Sequence, residues 1–200
     1  MNEVDKAYCA GLMDGDGCIQ ISGSFVPRLN RKHIMLGVKV AMQSLPAVEF
    51  FAACVGGSTK LHEGPRVYEC VIWQRKARDL LEQLLPYLRG KKRQAAFGLF
   101  FYDVAFSQRP RGAVKLTDEE LAFREVCAEV SSLLNQHDSM AYHGKLGEFR
   151  GRLSALTVEL QHMFTLSQAL EGIGSKEGAT TTETSPNSNS PHERPAPRFH

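Results

Sequence analysis

The sequence has little net charge, no long apolar run and no closely spaced cysteines, and each of these absences narrows the possible functions. The net charge is only +2, so overall charge does not indicate a partner. The longest apolar stretch, residues 95–106, is interrupted by Asp103 and is too short and too polar to span a bilayer. We therefore do not expect a membrane among the partners of this chain.

The five cysteines are odd in number and widely scattered, and no two of them form a C-x-x-C pair. This spacing argues against a disulfide framework and against a zinc site, and it predicts core thiols in a reducing compartment. Residues 1–16 include acidic side chains and lack a basic n-region, so we expect no secretory signal. The expected location is intracellular, and a bacterium, a phage-infected cell or an organelle suits the composition equally.

The positive charge of the chain is concentrated in one block. Residues 26–93 contain 13 Lys and Arg against 5 Asp and Glu, whereas the segments on either side are net negative. A basic block inside a near-neutral chain is typical of a polyanion-binding face. A solvated charged surface is the alternative interpretation that composition alone leaves open.

The spacing of the apolar residues alternates between the helical and the strand period, which predicts the order α-β-β-α-β-β-α. The predicted segments are 2–14, 18–25, 34–43, 44–55, 58–62, 67–73 and a helix over 80–88. This order is typical of an α+β fold whose helices cover one face of an antiparallel sheet. Further helices are predicted over 91–106, over 146–163, and from a capping box at Thr117 to about residue 135.

These segments predict one folded domain over residues 1–172, with a core at 3–106 and a helical extension at 107–172. Residues 173–200 consist mostly of Ser, Thr, Pro, Asn and charged side chains. Such a composition buries too little apolar surface to offset the entropy of ordering, so we expect a disordered tail.

Residues 9–17, Cys9-Ala-Gly-Leu-Met-Asp-Gly-Asp-Gly17, combine features that an ordinary helix end lacks. Gly11 and Gly15 each cost a helix about 1 kcal/mol relative to alanine, but their spacing lets two helix backbones approach closely. Asp14 and Asp16 lie at the predicted C-terminus, where the helix dipole disfavours negative charge. Asp-Gly pairs also form ordinary turns, but carboxylates placed against the dipole indicate a compensating cation or a function.

This segment resembles the nonapeptide of the LAGLIDADG homing endonucleases, from which it departs at Cys9, Met13 and Gly15 with small or apolar residues. A second segment, Leu85-Pro-Tyr-Leu-Arg-Gly-Lys91, is similar to the P-[YF]-L-x-x-K segment of that family. With the order of elements, the resemblance covers about residues 3–106. It implies the LAGLIDADG homing-endonuclease fold, with a saddle-like antiparallel sheet and extra C-terminal helices.

The resemblance implies an active site for metal-assisted hydrolysis of DNA. Asp16, at the eighth position of the motif, would bind the metal, and the backbone carbonyl of Gly15 would be the second protein ligand. Mg²⁺ suits such an oxygen-rich site, and Mn²⁺ is a plausible substitute. The metal would neutralise developing charge and lower the pKa of the attacking water.

Two further polar residues would complete this site. Lys91 corresponds to the active-site lysine of the family, with a solvated lysine in a basic run as the alternative interpretation. Gln43 corresponds to the water-positioning glutamine, although Met42 or Ser44 also fits that position.

Only one nonapeptide is present, and residues 107–172 do not repeat the preceding pattern. One chain therefore supplies half of a family active site. The resemblance implies a homodimer whose motif helices pack through Ala10, Gly11 and Gly15, with Asp14 in the same interface. Such a dimer would cut a long pseudo-palindromic site in double-stranded DNA, each chain contacting one half-site.

The resemblance also assigns DNA contacts to the strands and to the loop within the first hairpin. The alternation of strand side chains places a set of polar residues on one face. This set comprises Gln20, Ser22, Ser24, His33, Lys39, Lys60 and His62. A two-stranded ribbon fits the major groove, so these residues would address base edges. Arg28, Arg31 and Lys32, in the predicted loop, would meet phosphates or flanking base pairs.

The main alternative is a catalytically inactive LAGLIDADG-type protein that binds DNA or RNA, such as an intron maturase or a regulator. Residues 107–172 show no clear helix-turn-helix pattern, which weakens the regulator version. Asp16, Lys91 and Gln43 favour retained cleavage, because a protein that only binds gains little from a carboxylate beside DNA. An ordinary α+β interaction domain with a chance motif is a third hypothesis, and it leaves the basic block unexplained.

Overall fold

The structure, a computed structural model, describes residues 1–63, 66–106, 116–142 and 146–174. The first seven elements are α1 (Glu3–Asp16), β1 (Gly17–Val26), β2 (Arg31–Met42), α2 (Leu45–Val55), β3 (Thr59–His62), β4 (Val67–Trp73) and α3 (Arg75–Leu84). Three longer helices follow, namely α4 (Lys92–Phe106), α5 (Asp118–Tyr142) and α6 (Leu146–Gly174). The predicted α+β class and the predicted order of elements are confirmed.

The chain forms two compact units, Met1–Met163 and Phe164–His200. All the features described below belong to the first unit, and of the second unit the structure describes the end of α6. Residues 175–200, which make up most of the predicted disordered tail, lie outside the described residues, as do 107–115 at the start of the predicted helical extension. None of the described helices combines the length and the apolar character that crossing a membrane requires.

Local interactions define both ends of α1. At its start, the Asn2 side chain accepts a hydrogen bond from the Asp5 N–H at 2.8 Å, and the Asp5 carboxylate accepts one from the Asn2 N–H at 3.3 Å. This capping box satisfies two helix donors that would otherwise lack partners. At its end, a Cβ on Gly17 would lie 2.6 Å from the backbone of Met13. Glycine therefore allows β1 to leave the helix directly after Asp16.

The four strands form one antiparallel sheet in the order β1-β2-β4-β3. β1 and β2 pair from Gly17 opposite Val40 to Val26 opposite Arg31. Alternate side chains on the first, second and fourth strands point into the core, namely Ile19, Ile21, Ile34, Leu36, Val38, Val40, Cys70 and Ile72. The residues between them point to the other side of the sheet, which we call the open face.

The helices α2, α3 and α4 pack large buried side chains on the core side of the sheet. Phe51, Leu81 and Phe101, one from each helix, are completely buried. Gly98 brings α4 close to the sheet, because a Cβ there would lie 3.0 Å from Leu36 Cδ1 and 3.2 Å from Leu81 Cδ1. The site described below is therefore built on a closely packed support.

α5 lies along the side of β1 that pairs with no strand in the described part of the chain. The Ser131 hydroxyl accepts a hydrogen bond from the Ile21 N–H at 2.9 Å, and the Asn135 side chain donates to the Ile19 carbonyl at 2.8 Å. Two backbone groups on this side of β1 thus obtain partners from a helix.

Arg124 of α5 joins this helix to the end of α4. The side chain is buried, donates to the Ala105 carbonyl at 2.9 Å and lies over the Phe106 ring at 4.2 Å from its centroid. A cation at the carbonyl end of α4 also compensates the dipole of that helix.

Several predicted boundaries shift in the structure. β2 begins at Arg31 instead of residue 34, because Pro27–Leu29 form a single 3-10 turn and Asn30 adopts a left-handed conformation with φ of 46°. α3 ends at Leu84 instead of near residue 88, since Pro86 has no N–H to continue the helix.

The predicted capping box of α5 is confirmed. The Glu120 carboxylate accepts from the Thr117 N–H at 2.7 Å, and the Thr117 hydroxyl accepts from the Glu120 N–H at 3.2 Å. The helix continues to Tyr142, beyond the predicted end near residue 135.

Candidate active site and nucleic-acid interface

The last turn of α1 carries two aspartates in different surroundings, and the first of them is held by backbone hydrogen bonds. Asp14 Oδ2 accepts from the Arg89 N–H at 2.7 Å, and Oδ1 accepts from the Lys91 N–H at 2.9 Å. Burial alone would raise the pKa of Asp14, but the backbone N–H groups of Arg89, Lys91 and Gly90 outweigh burial and hold it below its ordinary value. Asp14 is therefore an ionised tether between α1 and residues 89–91.

Lys91 is fixed at the same end of α1. Its Nζ donates to the Asp14 carbonyl at 2.6 Å, and its side chain is half-buried. Burial raises the pKa of the neighbouring Cys18 thiol, while the ammonium groups of Lys39 and Lys91 act in the opposite direction. The structure thus brings Lys91 to the end of α1 and the start of β1, where the sequence motif places the reacting groups.

Asp16 is exposed, in contrast to Asp14. Within the described part of the chain its carboxylate has no hydrogen bond or ion pair, and the last turn of α1 contains no basic side chain. The helix dipole disfavours a negative charge at this end, and the Lys91 ammonium there bonds to the Asp14 carbonyl rather than to the Asp16 carboxylate. Such a carboxylate is suited to binding an external cation.

The described residues of one chain contain no group of three His, Cys, Asp or Glu side chains that could hold a metal ion. The Asp16 carboxylate and the adjacent Gly15 carbonyl fit part of an oxygen-rich Mg²⁺ site. The remaining ligands of an octahedral ion must come from water, a phosphate or a second chain.

Gln43 lies at the same end of the first hairpin. It follows the last residue of β2 and is exposed, while Gly17, which follows Asp16, pairs with Val40. The hairpin register therefore places Gln43 and Asp16 at one end of the β1–β2 pair. The three predicted catalytic residues lie at this end.

The strand residues predicted to contact DNA lie on the open face, opposite the core. Gln20, Ser22 and Ser24 alternate with the buried isoleucines of β1, His33 and Lys39 alternate with the buried residues of β2, and Lys60 and His62 extend the same side on β3. All of these side chains are half-buried or exposed. The predicted sharing of one face is therefore observed.

The open face also carries a carboxylate that the sequence interpretation missed. Glu69 of β4 forms an ion pair with Lys39 at 3.3 Å and a hydrogen bond with His62 Nε2 at 3.1 Å. Burial would raise the pKa of Glu69, but the hydrogen bonds from His62 and Lys39 lower it below its ordinary value. Strand alternation through β4 was the signal that could have found this residue, because Cys70 and Ile72 point inward.

Trp73 is a second missed residue of the open face. It lies opposite Gly37 of the neighbouring strand, and a Cβ on Gly37 would overlap its ring. The side chain is 39% exposed, and it is the single tryptophan of the sequence. A large aromatic surface therefore lies among the polar residues of this face.

The three basic residues predicted in the hairpin loop lie in different places in the structure. Arg28 is exposed in the 3-10 turn, whereas Arg31 and Lys32 belong to β2 and not to a loop. Arg31 follows the open-face alternation of β2, and Lys32 follows the opposite side and pairs with Glu125 of α5 at 2.9 Å. The structure does not bring Lys32 together with the open-face set.

The predicted dimer residues of α1 differ in how far they are exposed on the surface of the chain. Gly11 and Gly15 are exposed, and a Cβ on either would meet nothing within 4 Å. Ala10 is 1% exposed and packs in the core of its own chain, so it offers almost no surface to a partner. Asp14, likewise predicted in that interface, is half-buried and bonds to residues 89–91 of the same chain.

Two large exposed residues extend the glycine face of α1. Val4 is 77% exposed and Tyr8 is 48% exposed, and their spacing from Gly11 and Gly15 places all four on one side of the helix. This side, which we call the α1 stripe, lies away from the buried residues Cys9 and Met13.

No protein-family model matches the sequence, and no curated protein matches it. Solved structures do match. A structure of the homing endonuclease I-CvuI with the I-CreI target and 2 mM Mg, in which the DNA is not cleaved, is 20% identical with a TM-score of 0.55. A structure of I-CvuI with its own target and 2 mM Ca is 21% identical with a TM-score of 0.56. Each match covers 66% of this chain. The first covers 82% of the I-CvuI chain and the second covers 85% of it. The chain therefore has the LAGLIDADG homing-endonuclease fold that its motif implied.

Proposed function

We propose that this protein is a site-specific double-strand DNA endonuclease that acts as a homodimer on a long pseudo-palindromic site. The carboxylate of Asp16, which is exposed and has no partner within the described residues, carries this proposal. It lies at the C-terminal end of α1, next to the turn that fixes the Lys91 ammonium. Homing endonucleases with the same fold, crystallised with DNA and divalent cations, add support.

The proposed reaction is metal-assisted hydrolysis of a phosphodiester. Asp16 and the Gly15 carbonyl would hold Mg²⁺ or Mn²⁺, and the same residues of a second copy would supply matching ligands. The bound metal would neutralise the developing charge and lower the pKa of water. Two Asp16 carboxylates facing each other without a cation would repel, so the dimer favours cation capture.

Lys91 and Gln43 would act on the groups around the phosphate. The Lys91 ammonium has three donors, and the bond to the Asp14 carbonyl occupies one of them. The other two would donate to a phosphate oxygen or orient a water molecule. The Gln43 amide, exposed at the same end of the hairpin, would position the attacking water by accepting one hydrogen bond.

DNA would lie along the open face. The β1–β2 hairpin has the dimensions of a ribbon that enters the major groove, where Gln20 and Lys39 would address base edges. Arg28 and Arg31, toward the far end of this hairpin, would contact phosphates. The phosphate contacts would supply affinity and salt dependence, and the strand residues would supply the choice of sequence.

The α1 stripe would form the dimer contact. Gly11 and Gly15 let two helix backbones approach, and Val4 and Tyr8 would bury their apolar surface against the partner helix. Replacing Gly11 with Val should abolish dimers in sedimentation equilibrium without loss of folding, because the position has open space within the chain. A stable and active Gly11→Val monomer would refute the dimer.

Incubation with a randomised DNA duplex library in Mg²⁺ tests the reaction. Wild type should cleave, and Asp16→Asn should still bind but cleave at least about a hundredfold more slowly, since it loses several kcal/mol of charge stabilisation. The matched control is Glu49→Gln, which removes one exposed carboxylate from α2 and should cleave like wild type. Binding without cleavage by both wild type and Asp16→Asn would instead identify a DNA-binding protein without nuclease activity.

The single tryptophan gives a direct measure of where DNA binds. Trp73 lies on the open face, so bound DNA should quench its fluorescence. Full binding by fluorescence anisotropy of a labelled duplex, with no change in the Trp73 emission, would contradict the proposed DNA surface.

A further inference from the structure

Glu69 is the only acidic residue in the four described strands, and it lies on the face proposed to meet a polyanion. A carboxylate on that face repels phosphates, so its presence there is unfavourable for affinity alone. Glu69 does not pack in the core either, because Cys70 and Ile72 point into the core and Glu69 points to the open face. Its contacts indicate what it does.

The carboxylate joins a lysine and a histidine from the strands on both sides of β4. Its Oε2 is 3.3 Å from Lys39 Nζ of β2, and its Oε1 is 3.1 Å from His62 Nε2 of β3. The Glu69 side chain is 17% exposed, whereas Lys39 and His62 are 36% and 46% exposed. The Glu69 carboxylate is thus less exposed than its two partners, and the Lys39 and His62 side chains remain accessible to solvent.

We propose that Glu69 is a positioning residue for sequence recognition, which holds Lys39 and His62 over base edges and away from phosphates. This inference rests on the proposed DNA-binding function. A lysine held by one hydrogen bond to a carboxylate keeps two N–H donors, and these match the O6 and N7 acceptors of guanine in the major groove. An unpaired Lys39 would instead follow the stronger attraction of the phosphates.

Removing the charge of Glu69 therefore has two opposite effects on DNA binding. Glu69→Gln should weaken the preference for the wild-type base under the cluster by about 5- to 150-fold, the range expected for a well-placed base contact. It should also strengthen binding to unrelated DNA, because Lys39 becomes free to neutralise a phosphate. The slope of log K against log[salt] should then steepen by about 0.9, the value for one additional phosphate contact.

The experiment starts from a duplex selected by the wild-type protein, with Ca²⁺ in place of Mg²⁺ so that binding is measured on intact DNA. Competition with duplexes changed at one base pair at a time gives the preference at every position for wild type, Glu69→Gln, Lys39→Met and the double variant. Glu49→Gln is the matched control for the loss of one carboxylate and should reproduce the wild-type profile. Thermal unfolding of each variant checks that it is folded.

The expected result is a loss of preference confined to the same few adjacent base pairs in Glu69→Gln and Lys39→Met. The double variant should lose less preference than the sum of the two single losses, because both changes remove the same Lys39–Glu69 interaction. An unchanged profile in Glu69→Gln, a uniform loss across the site, or additive effects in the double variant would overturn the positioning role. Absence of any DNA binding by wild type would instead overturn the proposed function on which the inference rests.

Discussion

Replacing Asp with Asn should destabilise the protein at position 14 of α1 and should not do so at position 16. Asp14→Asn replaces one oxygen of a carboxylate that accepts backbone N–H groups at 2.7 and 2.9 Å with an amide group that cannot accept. Hydrogen bonds to charged groups contribute about 1.5–3 kcal/mol, and leaving a donor unsatisfied adds to the loss. Because both N–H groups lie near solvent, we expect about 1–3 kcal/mol of destabilisation. For a domain of this size this lowers Tm by about 2–12 °C.

Asp16→Asn serves as the matched control. Its carboxylate is exposed, has no partner among the described residues and lies at the unfavourable end of the α1 dipole. Removing that charge should leave stability unchanged or raise it by up to about 1 kcal/mol.

The pH dependence gives an independent check on Asp14. Its pKa in the folded protein is below the ordinary value of 3.8, so the ionised form stabilises the fold above that pH. As pH falls below about 4 and through the folded pKa, the carboxyl protonates and this contribution is lost. Asn does not titrate, so the difference in stability between wild type and Asp14→Asn should be constant from neutral pH to about 4 and shrink below it.

Chemical denaturation at a series of pH values, followed by circular dichroism, measures these differences. Equal stability of Asp14→Asn and wild type at pH 7 would refute the tether between α1 and residues 89–91. A difference that persists undiminished at pH 2 would refute the assignment of that stability to the ionised carboxylate.

Three further substitutions test the packing around the site. Gly98→Val should destabilise the protein by about 1–3 kcal/mol in thermal melts, because Leu36 and Leu81 leave no room beside α4; an unchanged Tm would contradict that close approach. Arg124→Met should cost about 1–3 kcal/mol in denaturant titrations, because the Ala105 carbonyl loses its donor; a neutral effect would mean that the buried guanidinium is dispensable. Gly37→Val should displace the ring of the only tryptophan into solvent and shift its fluorescence to longer wavelength, and an unshifted spectrum would contradict the stacking on Gly37.

The fold was predictable because two independent signals in the sequence agree. The apolar period changes from helix to strand at Gly17, and the glycines and aspartates of the motif mark the same point. The boundaries that were wrong depend on local backbone geometry. The left-handed conformation of Asn30 shortens the hairpin loop, and no apolar pattern indicates it.

The sequence predicted the site residues that belong to a motif. It was less successful for residues whose position depends on packing against other elements. The motif placed Asp16 and Lys91 at one end of α1, and the structure brings them to that end. Ala10 was placed in the dimer interface because small residues suit close helix contacts. In the structure the same small side chain packs in the core of its own chain. Glu69 was missed because a carboxylate in a basic block appears unfavourable until its partners on two other strands are known.

The contact of α5 with β1 has a consequence for self-association. An uncovered outer strand offers N–H and C=O groups to any other strand, which is a common route to uncontrolled aggregation. Here Ser131 and Asn135 occupy the Ile21 N–H and the Ile19 carbonyl, so a strand of another molecule cannot add at this point without displacing α5. The proposed homodimer would therefore need a different surface, and the helix that carries Asp16 has two exposed glycines on such a surface.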